Sequence, residues 1–372
     1  MSTPAIIPGL LPEGLRDRLP PDATSLANLV RTLIATCMAH GHERVQPPLL
    51  EYAEALAAGG AATRDLLRFT DPVSQHTLAI RSDMTGQVGR IATTRLAAQA
   101  RPLRLCYAGP VLRVRGDQLS PERERTQAGA ELIGSDSPAA VAEMLVLAVT
   151  ALKAAGLDGL SVDLTLPALV GALAAAGWPL GDASLGDVQA WLDGKDAGAL
   201  RQAGAARFVP LIAAAGPAPA ALAALVGLGL PAGRLGLLDT LVAALAAAHP
   251  DVAVTIDPTE RHGFEYQTGI GFSLFGAGIA GEVGRGGSYA LSRADGRSEP
   301  AVGFSLYVDG LVDAGLGRAP MRRVLLPVGT DPALAARLRA EGWHTVAALS
   351  EDDDPRALRC THALRGGVPE AL

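Results

Sequence analysis

Thr126-Gln127-Ala128-Gly129-Ala130-Glu131-Leu132-Ile133-Gly134 sets polar and small residues at every second place. In an extended chain alternate residues share one face. Gln127, Gly129 and Glu131 therefore lie on one side of a strand, and Ala128, Ala130 and Leu132 on the other. Upstream, Leu103–Val114 is a second apolar-alternating run, with Arg113 late in it. A loop rich in Gly, Asp, Gln, Ser, Pro, Glu and Arg separates the two runs, which predicts an antiparallel pair. Buried Gln and Glu side chains on the same face as an Arg need partners. Two arrangements supply them. One is an internal Arg–Glu brace across the sheet. The other is a small zwitterionic ligand, with Arg113 taking a carboxylate and Gln127 and Glu131 taking an amine or an imidazole nitrogen.

Outward from this pair, helices alternate with short strands. Leu26, Leu29, Val30, Leu33, Ile34 and Cys37 recur at helical spacing, with Asp22 or Thr24 to cap the start and Gly41 to close the end. Val45–Leu50 contains Pro47 and Pro48 and is expected to be an extended edge segment. Leu78–Arg81 has the character of a short strand. Ser137-Pro138 opens a helix that runs to Gly156, with Pro at the first helical position. Residues 165–250 turn Ala-, Leu- and Gly-rich, which predicts a helical insertion. Strands are expected at Val252–Ile256, Tyr266–Phe275, Ile279–Val283 and Ala301–Leu306, with a glycine-rich turn at Gly284, Gly286 and Gly287. From Met321 the pattern is strand (Arg323–Pro327), helix (Asp331–Arg339) and strand (His344–Ala348). The expected class is α+β: an antiparallel sheet flanked by helices in residues 1–320, with the helical insertion, and a short α/β stub in residues 321–372.

Composition bounds the function. The 372 residues are 49% hydrophobic and 19% charged, which suits a chain with a large buried core. A net charge of −6 and scattered arginines, clustered only at Arg113–Arg125, disfavour nucleic acid, because phosphate neutralisation supplies most of that affinity. Cys37, Cys106 and Cys360 are odd in number and widely spaced, so neither a metal site nor a disulfide framework is indicated. No basic segment followed by an apolar run opens the chain, so no signal peptide is expected. Phe208–Leu230 is the most apolar stretch, but Pro210, Pro217 and Pro219 interrupt it; soluble Ala-rich helices are expected, not a membrane span. A cytoplasmic protein with no metal and no cofactor is the expectation.

Two further polar clusters stand out. Arg81-Ser82-Asp83-Met84-Thr85 precedes a helix, where Asp83 and Thr85 serve either as caps or as partners for a ligand ammonium. Arg261-His262-Gly263-Phe264-Glu265-Tyr266-Gln267-Thr268-Gly269 carries a lone His that by itself indicates only a structural group.

Taken together these segments resemble a known family. Gly41-His42-Glu43-Arg44-Val45-Gln46-Pro47-Pro48-Leu49-Leu50-Glu51 resembles motif 1 of class II aminoacyl-tRNA synthetases. Arg113 through Gln127-Ala128-Gly129-Ala130-Glu131-Leu132-Ile133-Gly134 resembles motif 2, in the version of histidyl-tRNA synthetase. Gly263–Gly269 and Gly286-Gly287-Ser288-Tyr289 resemble that enzyme's two histidine-specific signatures, and Ala301–Leu306 the start of motif 3. The likeness covers roughly residues 8–315.

The resemblance implies a class II synthetase-like sheet and places Asp83, Thr85, Arg113, Gln127, Glu131 and Tyr266 around histidine, with Arg261, His262, Gln267 and Tyr289 as further pocket residues. Asp83 is one methylene shorter than the family's Glu, and Gln267 stands for a Tyr. Three departures bear on catalysis. Arg115 stands where the synthetase has a glutamate, Gly310 where motif 3 has an arginine, and His262 where the histidine signature opens with a catalytic arginine, Arg261 lying one place earlier. Losing one fixed donor at such a site costs about 10²–10³ in rate. Without adenylation residues, and with the C-terminal domain cut to a stub, the chain resembles the regulatory subunits of ATP phosphoribosyltransferase. That resemblance implies a homodimer through the motif 1 region, assembly with the short catalytic subunit of histidine biosynthesis, and L-histidine as an effector. The alternatives are an active histidyl-tRNA synthetase or amino-acid-activating paralogue, and a structural scaffold with a vestigial site.

Overall fold

The structure, a computed structural model, describes residues 9–58, 66–116, 121–261, 267–293 and 295–372. Two compact units are present, Met1–Gly317 and Arg318–Leu372. In the first, α1 (Asp22–Ala39) leads through β1 (Glu43–Arg44) to a small antiparallel sheet of β2 (Leu50–Tyr52), β3 (Leu67–Thr70) and β4 (Thr77–Ile80), with α2 (Ala53–Ala58) against it. After α3 (Thr85–Thr94) come the long strands β5 (Leu103–Leu112) and β6 (Glu124–Ile133), then α4 (Pro138–Ala154) and β7 (Ser161–Thr165). Helices α5 (Leu169–Ala175), α6 (Leu185–Asp193), α7 (Ala197–Gln202) and α8 (Val209–Ala213) follow, then the two-residue β8 (Gly216–Pro217), α9 (Ala218–Gly227) and α10 (Ala232–Ala248). The unit closes with β9 (Ala253–Asp257), β10 (Gln267–Phe275), β11 (Gly284–Ser292), β12 (Ser298–Tyr307) and α11 (Val308–Asp313).

Among the described residues a nine-stranded sheet runs in the order β1-β5-β6-β12-β11-β10-β7-β9-β8, antiparallel except for the β1–β5 and β7–β9 pairs. Period-two patterning gives the sheet two unlike faces. On the back, Cys106, Ala128, Ala130, Leu132, Val302, Phe304, Leu306, Phe272, Leu274, Val162 and Leu164 join one buried cluster with α1 and α4. Helix α4 is apolar nearly all round, as suits a helix covered by the sheet, α1 and α10. Ser137 accepts a hydrogen bond from the Ala140 amide (3.3 Å) and Pro138 holds the first helical position, as the sequence leads one to expect. On the front, α3 covers only one end of the sheet, through Met84, Val88 and Ala92 against Leu103, Leu105, Ile133, Tyr289 and Ala301. Val111 joins this cluster, and among the described residues Gln127, Ser305, Arg285, Ser273 and Asp163 also lie on that face.

The second unit is a four-stranded sheet in the order β14-β13-β15-β16, formed by β13 (Arg323–Leu326), β14 (His344–Ala347), β15 (His362–Arg365) and β16 (Val368–Ala371). Helix α12 (Pro332–Ala340) supplies Ala335 and Leu338 to a small core with Val324, Leu326 and Leu364. The last two strands are four residues each, too short for their alternation to stand out in the sequence.

Several local expectations are corrected. Ile279–Val283 is not a strand; it is the turn, and the strand begins at Gly284 and carries Gly286 and Gly287 inside it. A methyl at Gly286 would overlap the Phe272 ring and the Gly303 carbonyl, so the glycine serves close sheet packing rather than a turn. Of the expected edge segment Val45–Leu50, the Val45 amide bonds the Cys106 carbonyl (2.9 Å), the Leu49 carbonyl accepts the Arg81 amide (3.2 Å) and Leu50 opens β2; the strand beside β5 is Glu43–Arg44. Helix α1 starts at Asp22 behind Pro21 with no side-chain cap. Arg113 lies one residue past β5. The Phe208–Leu230 stretch forms short helices, and no helix among the described residues is long and apolar enough to cross a membrane.

Phe272 is fully buried on the back face. Phe272→Ala is expected to lower unfolding stability by about 3–5 kcal/mol in urea titrations, with the front face intact; a loss below about 1 kcal/mol would contradict the packing described.

Candidate functional site

Strand register assembles the front face row by row. Tyr107, Gly129, Ser305 and Arg285 stand side by side across four strands. One step along the strands lie Leu105, Glu131, Gly303 and Gly287, and one step the other way lie Gly109, Gln127 and Tyr307. The glycines form the floor of a trough in which the Glu131 and Tyr107 side chains lie. A methyl at Gly303 would overlap the Glu131 carboxylate, and one at Gly129 would lie 2.6 Å from the Tyr107 hydroxyl.

Glu131 is 1% exposed and is held by tyrosines. Tyr107 donates to its Oε1 (2.9 Å) and Tyr289 to its Oε2 (2.7 Å). The Tyr107 hydroxyl also lies 3.2 Å from Thr85 Oγ1 and 3.3 Å from Ser305 Oγ. Gln127 is fully buried, and its amide is oriented by its neighbours. Its Oε1 accepts the Met84 amide (3.0 Å), while its Nε2 donates to Asp83 Oδ2 (2.8 Å) and Ser305 Oγ (2.7 Å). Asp83 also takes the Thr85 amide (2.7 Å) at the start of α3, so it both steadies the helix start and faces the trough. One connected network thus contains Asp83, Thr85, Gln127, Glu131 and Tyr289.

Burial drives the Glu131 pKa up to about 8, and the Asp83 charge adds to the rise; the hydrogen bonds from Tyr289, Tyr107 and Thr85 oppose it. The carboxyl is therefore mostly protonated at neutral pH. Burial also raises the Tyr107 pKa, and the charges of Glu131 and Asp83 reinforce this.

Arg113 does not supply an internal brace for Glu131, whose carboxylate contacts among the described residues are hydroxyls. The Arg113 guanidinium stands 6.0 Å from the centre of the Tyr307 ring, with that of Arg125 at 5.5 Å, so two cations flank one aromatic ring at the trough's edge. Gln267 lies in register with Tyr289, and its Nε2 donates to the Gly286 carbonyl (3.0 Å) beside a bulge between Gln267 and Gly271. Arg261 is tied by its backbone amide to Asp193 at the end of α6 (2.7 Å). His262 and Tyr266 lie outside the described residues. Arg81 is a structural brace, donating to the carbonyls of Pro110 (2.8 Å) and Pro47 (2.9 Å). Gly310 sits in α11, and Arg115 is exposed just beyond β5.

Sequence reasoning overlooked Tyr107 and Ser305, the two hydroxyls at the centre of the network. The strand alternation contained the signal. Once Tyr107 is set opposite Gly129, its ring has to cross the space that the glycine vacates.

The family profile described as histidyl-tRNA synthetase matches residues 14–311. Over nearly its whole length the chain is 47% identical to the ATP phosphoribosyltransferase regulatory subunit of Rhodospirillum centenum, covering 96% of this chain and 95% of that protein. It is also 47% identical to the regulatory subunit of Paramagnetospirillum magneticum, over 93% and 92%. A crystal structure of an ATP phosphoribosyltransferase regulatory subunit/histidyl-tRNA synthetase from Bacillus halodurans superposes with a TM-score of 0.81 at 26% identity, covering 96% of this chain and 97% of that one. The fold is thus the class II synthetase fold in its histidyl form. Within it, this chain belongs to the family of ATP phosphoribosyltransferase regulatory subunits.

The Glu131 shift carries a stability consequence. A carboxyl whose folded pKa lies above its ordinary 4.5 stabilises the fold fully below pH 4.5, and that contribution is lost as pH rises through about 8. Glu131→Gln stays neutral. Denaturant titrations are expected to show wild-type stability falling relative to this variant between pH 4.5 and 8. Parallel curves would show that Glu131 does not titrate in this range.

Proposed function

We propose that this chain is the regulatory partner of the short catalytic subunit of ATP phosphoribosyltransferase in the cytoplasm. In this reading it is needed for that subunit's full activity in the first step of histidine biosynthesis. L-Histidine bound in the Glu131 trough transmits feedback inhibition, and the chain dimerises through its motif 1 region. The observation that carries the ligand assignment is the buried network of Glu131, Tyr107, Tyr289 and Gln127 over a glycine floor, with the exposed Asp83 bonded to Gln127 at its margin. It offers acceptors to a cationic or N–H-bearing ligand at one end and two arginines at the other. Glu131 takes an imidazole nitrogen, Asp83 with Thr85 the ammonium, and Arg113 the carboxylate. Dimerisation is supported by the exposed apolar side chains Leu49, Leu50, Tyr52 and Phe69 on or beside the small sheet that follows motif 1. A coupling of about 1–3 kcal/mol between the trough and the partner is enough for such control.

The positions that would steady ATP chemistry carry Arg115, His262 and Gly310, which supports a binding role over adenylation. The purified chain is expected to give no histidine-dependent ATP–pyrophosphate exchange, and robust exchange would overturn the regulatory reading. Added to the short catalytic subunit, it should co-purify with it and raise its turnover, and histidine should reverse the gain. No co-purification and no change in turnover would sink the partnership.

Binding itself should be bell-shaped in pH. The complex shares one proton between Glu131 and the imidazole. Below the ring's pKa of about 6.5 a proton must be lost on binding, and above the Glu131 value of about 8 one must be gained. Calorimetric affinity for L-histidine should therefore peak between these values, and Glu131→Gln should lower it and remove the alkaline limb. Affinity that does not vary with pH would place the imidazole elsewhere, and absence of histidine binding, alone and with the partner, would leave only a scaffold.

A further inference from the structure

The hairpin that carries Arg113 projects beyond its supporting strand. The β6–β12 ladder ends at the Gln127–Tyr307 pair, whereas the β5–β6 ladder continues to Leu112–Glu124. Past that point Arg113 and Arg123 hold each other by one backbone and one side-chain bond: the Arg113 amide donates to the Arg123 carbonyl (2.8 Å), and Arg123 Nε donates to the Arg113 carbonyl (3.2 Å). The segment before α1 ties this overhang to the rest of the unit, as does the Leu112 amide on the Arg81 carbonyl (2.9 Å). The Arg123 amide donates to the Gly14 carbonyl (2.8 Å). Gly14 has φ +75°, and a methyl there would lie 2.7 Å from the Arg123 side chain, so the two chains touch at van der Waals range.

Four residues on, the same segment is locked to α11. Arg18 donates to Asp309 Oδ1 (2.6 Å) and Asp313 Oδ1 (3.3 Å), and Arg16 donates to Asp313 Oδ2 (2.7 Å). The other oxygen of Asp309 accepts the Thr126 amide (2.6 Å), next to Gln127. The Arg18 and Asp309 side chains are only 14% and 16% exposed, so this pair is stronger than a solvated one. Helix α11 continues directly from Tyr307, the ring under Arg113 and Arg125.

We propose that the segment Glu13–Arg18 is a clasp, with Arg18 as its positioning residue, that sets Arg113 over Tyr307 for an incoming carboxylate. The clasp fixes the gap between the overhanging hairpin and α11. It also neutralises Asp309, which holds the Thr126 amide beside Gln127 and whose negative charge there opposes an anionic group. This rests on the amino-acid-binding reading above, and it assigns to Arg18 a role in ligand affinity without contact with the ligand.

The test is calorimetric titration of the full-length chain and its variants with L-histidine and with histamine, which lacks the carboxylate. Arg18→Met is expected to weaken histidine binding about tenfold or more and to leave histamine binding unchanged. In an Arg113→Met background the same change should cost nothing further, because the group being positioned is gone. If Arg18→Met does not fold, Arg18→Gln, which keeps a hydrogen bond to Asp309, carries the same comparison. Equal losses for both ligands, additive losses with Arg113→Met, or unchanged histidine affinity would overturn the clasp and leave the amino-acid reading standing. A wild-type chain that binds no histidine would remove that reading, and the clasp with it.

Discussion

A carboxyl group placed in a sheet face and closed off from water must either stay protonated or find a cation, because an isolated buried charge is too expensive to keep. Glu131 is in that position. Its two oxygens receive tyrosine hydroxyls, which orient the group without neutralising it. The nearest charge that acts on it, Asp83, has the same sign and makes ionisation harder still. The ligand proposed above would answer that need with a positive charge or an N–H. The surrounding geometry follows from that need. The carboxylate has room only because Gly303 has no side chain, and Tyr107 can reach Glu131 only because Gly129 has none.

The back of the sheet makes this arrangement affordable in stability. Ala128, Ala130 and Leu132 of β6 face α1 and α4 in the main core, between the residues that face the trough. A slip of one residue in β6 would put Gln127 and Glu131 into that core and the alanines into the trough. The apolar face therefore fixes the register that brings Glu131 beside Gly303, and the core acts on ligand chemistry through strand pairing alone. Helix α3 adds the remaining constraint. Its packing on one end of the front face brings Asp83, Met84 and Thr85 to Gln127, and leaves the other end to Arg113 and Tyr307.

Strong local signals made much of this legible in the sequence. The alternation of Gln127, Gly129 and Glu131, the cap and proline at Ser137-Pro138, and the helical spacing of Leu26–Cys37 each rest on neighbours in the chain, and each element appears where expected. Errors arose where tertiary contact overrides local character. Gly284, Gly286 and Gly287 have turn composition, yet they lie in a strand because the close approach of Phe272 and the Gly303 carbonyl excludes any side chain at Gly286. An Arg113–Glu131 brace was one of two arrangements that the sequence left open; in the fold Glu131 is met by the hydroxyls of Tyr107 and Tyr289, the second from a strand 158 residues on. The clasp was invisible for the same reason, since Arg18 and Asp309 are 291 residues apart.

Adenylation and recognition make different demands on such a sheet. Steadying a pyrophosphate leaving group takes several fixed cations acting together, and the loss of any one is felt in the rate. Holding an amino acid takes a matched acceptor for each N–H and one cation for the carboxylate. The front face divides along that line. Its interior, Gln127, Ser305, Tyr107, Glu131 and Tyr289, is buried and connected by hydrogen bonds among side chains that share partners, so altering one member leaves others unsatisfied. Its edge is built from exposed or half-exposed residues such as Arg115, where substitution costs little in stability. A change at Arg115 therefore costs the fold little, while a change at Glu131, Gln127 or Tyr107 breaks packing and polar satisfaction together. The fold and the proposed ligand thus make the same demand on the interior of the trough.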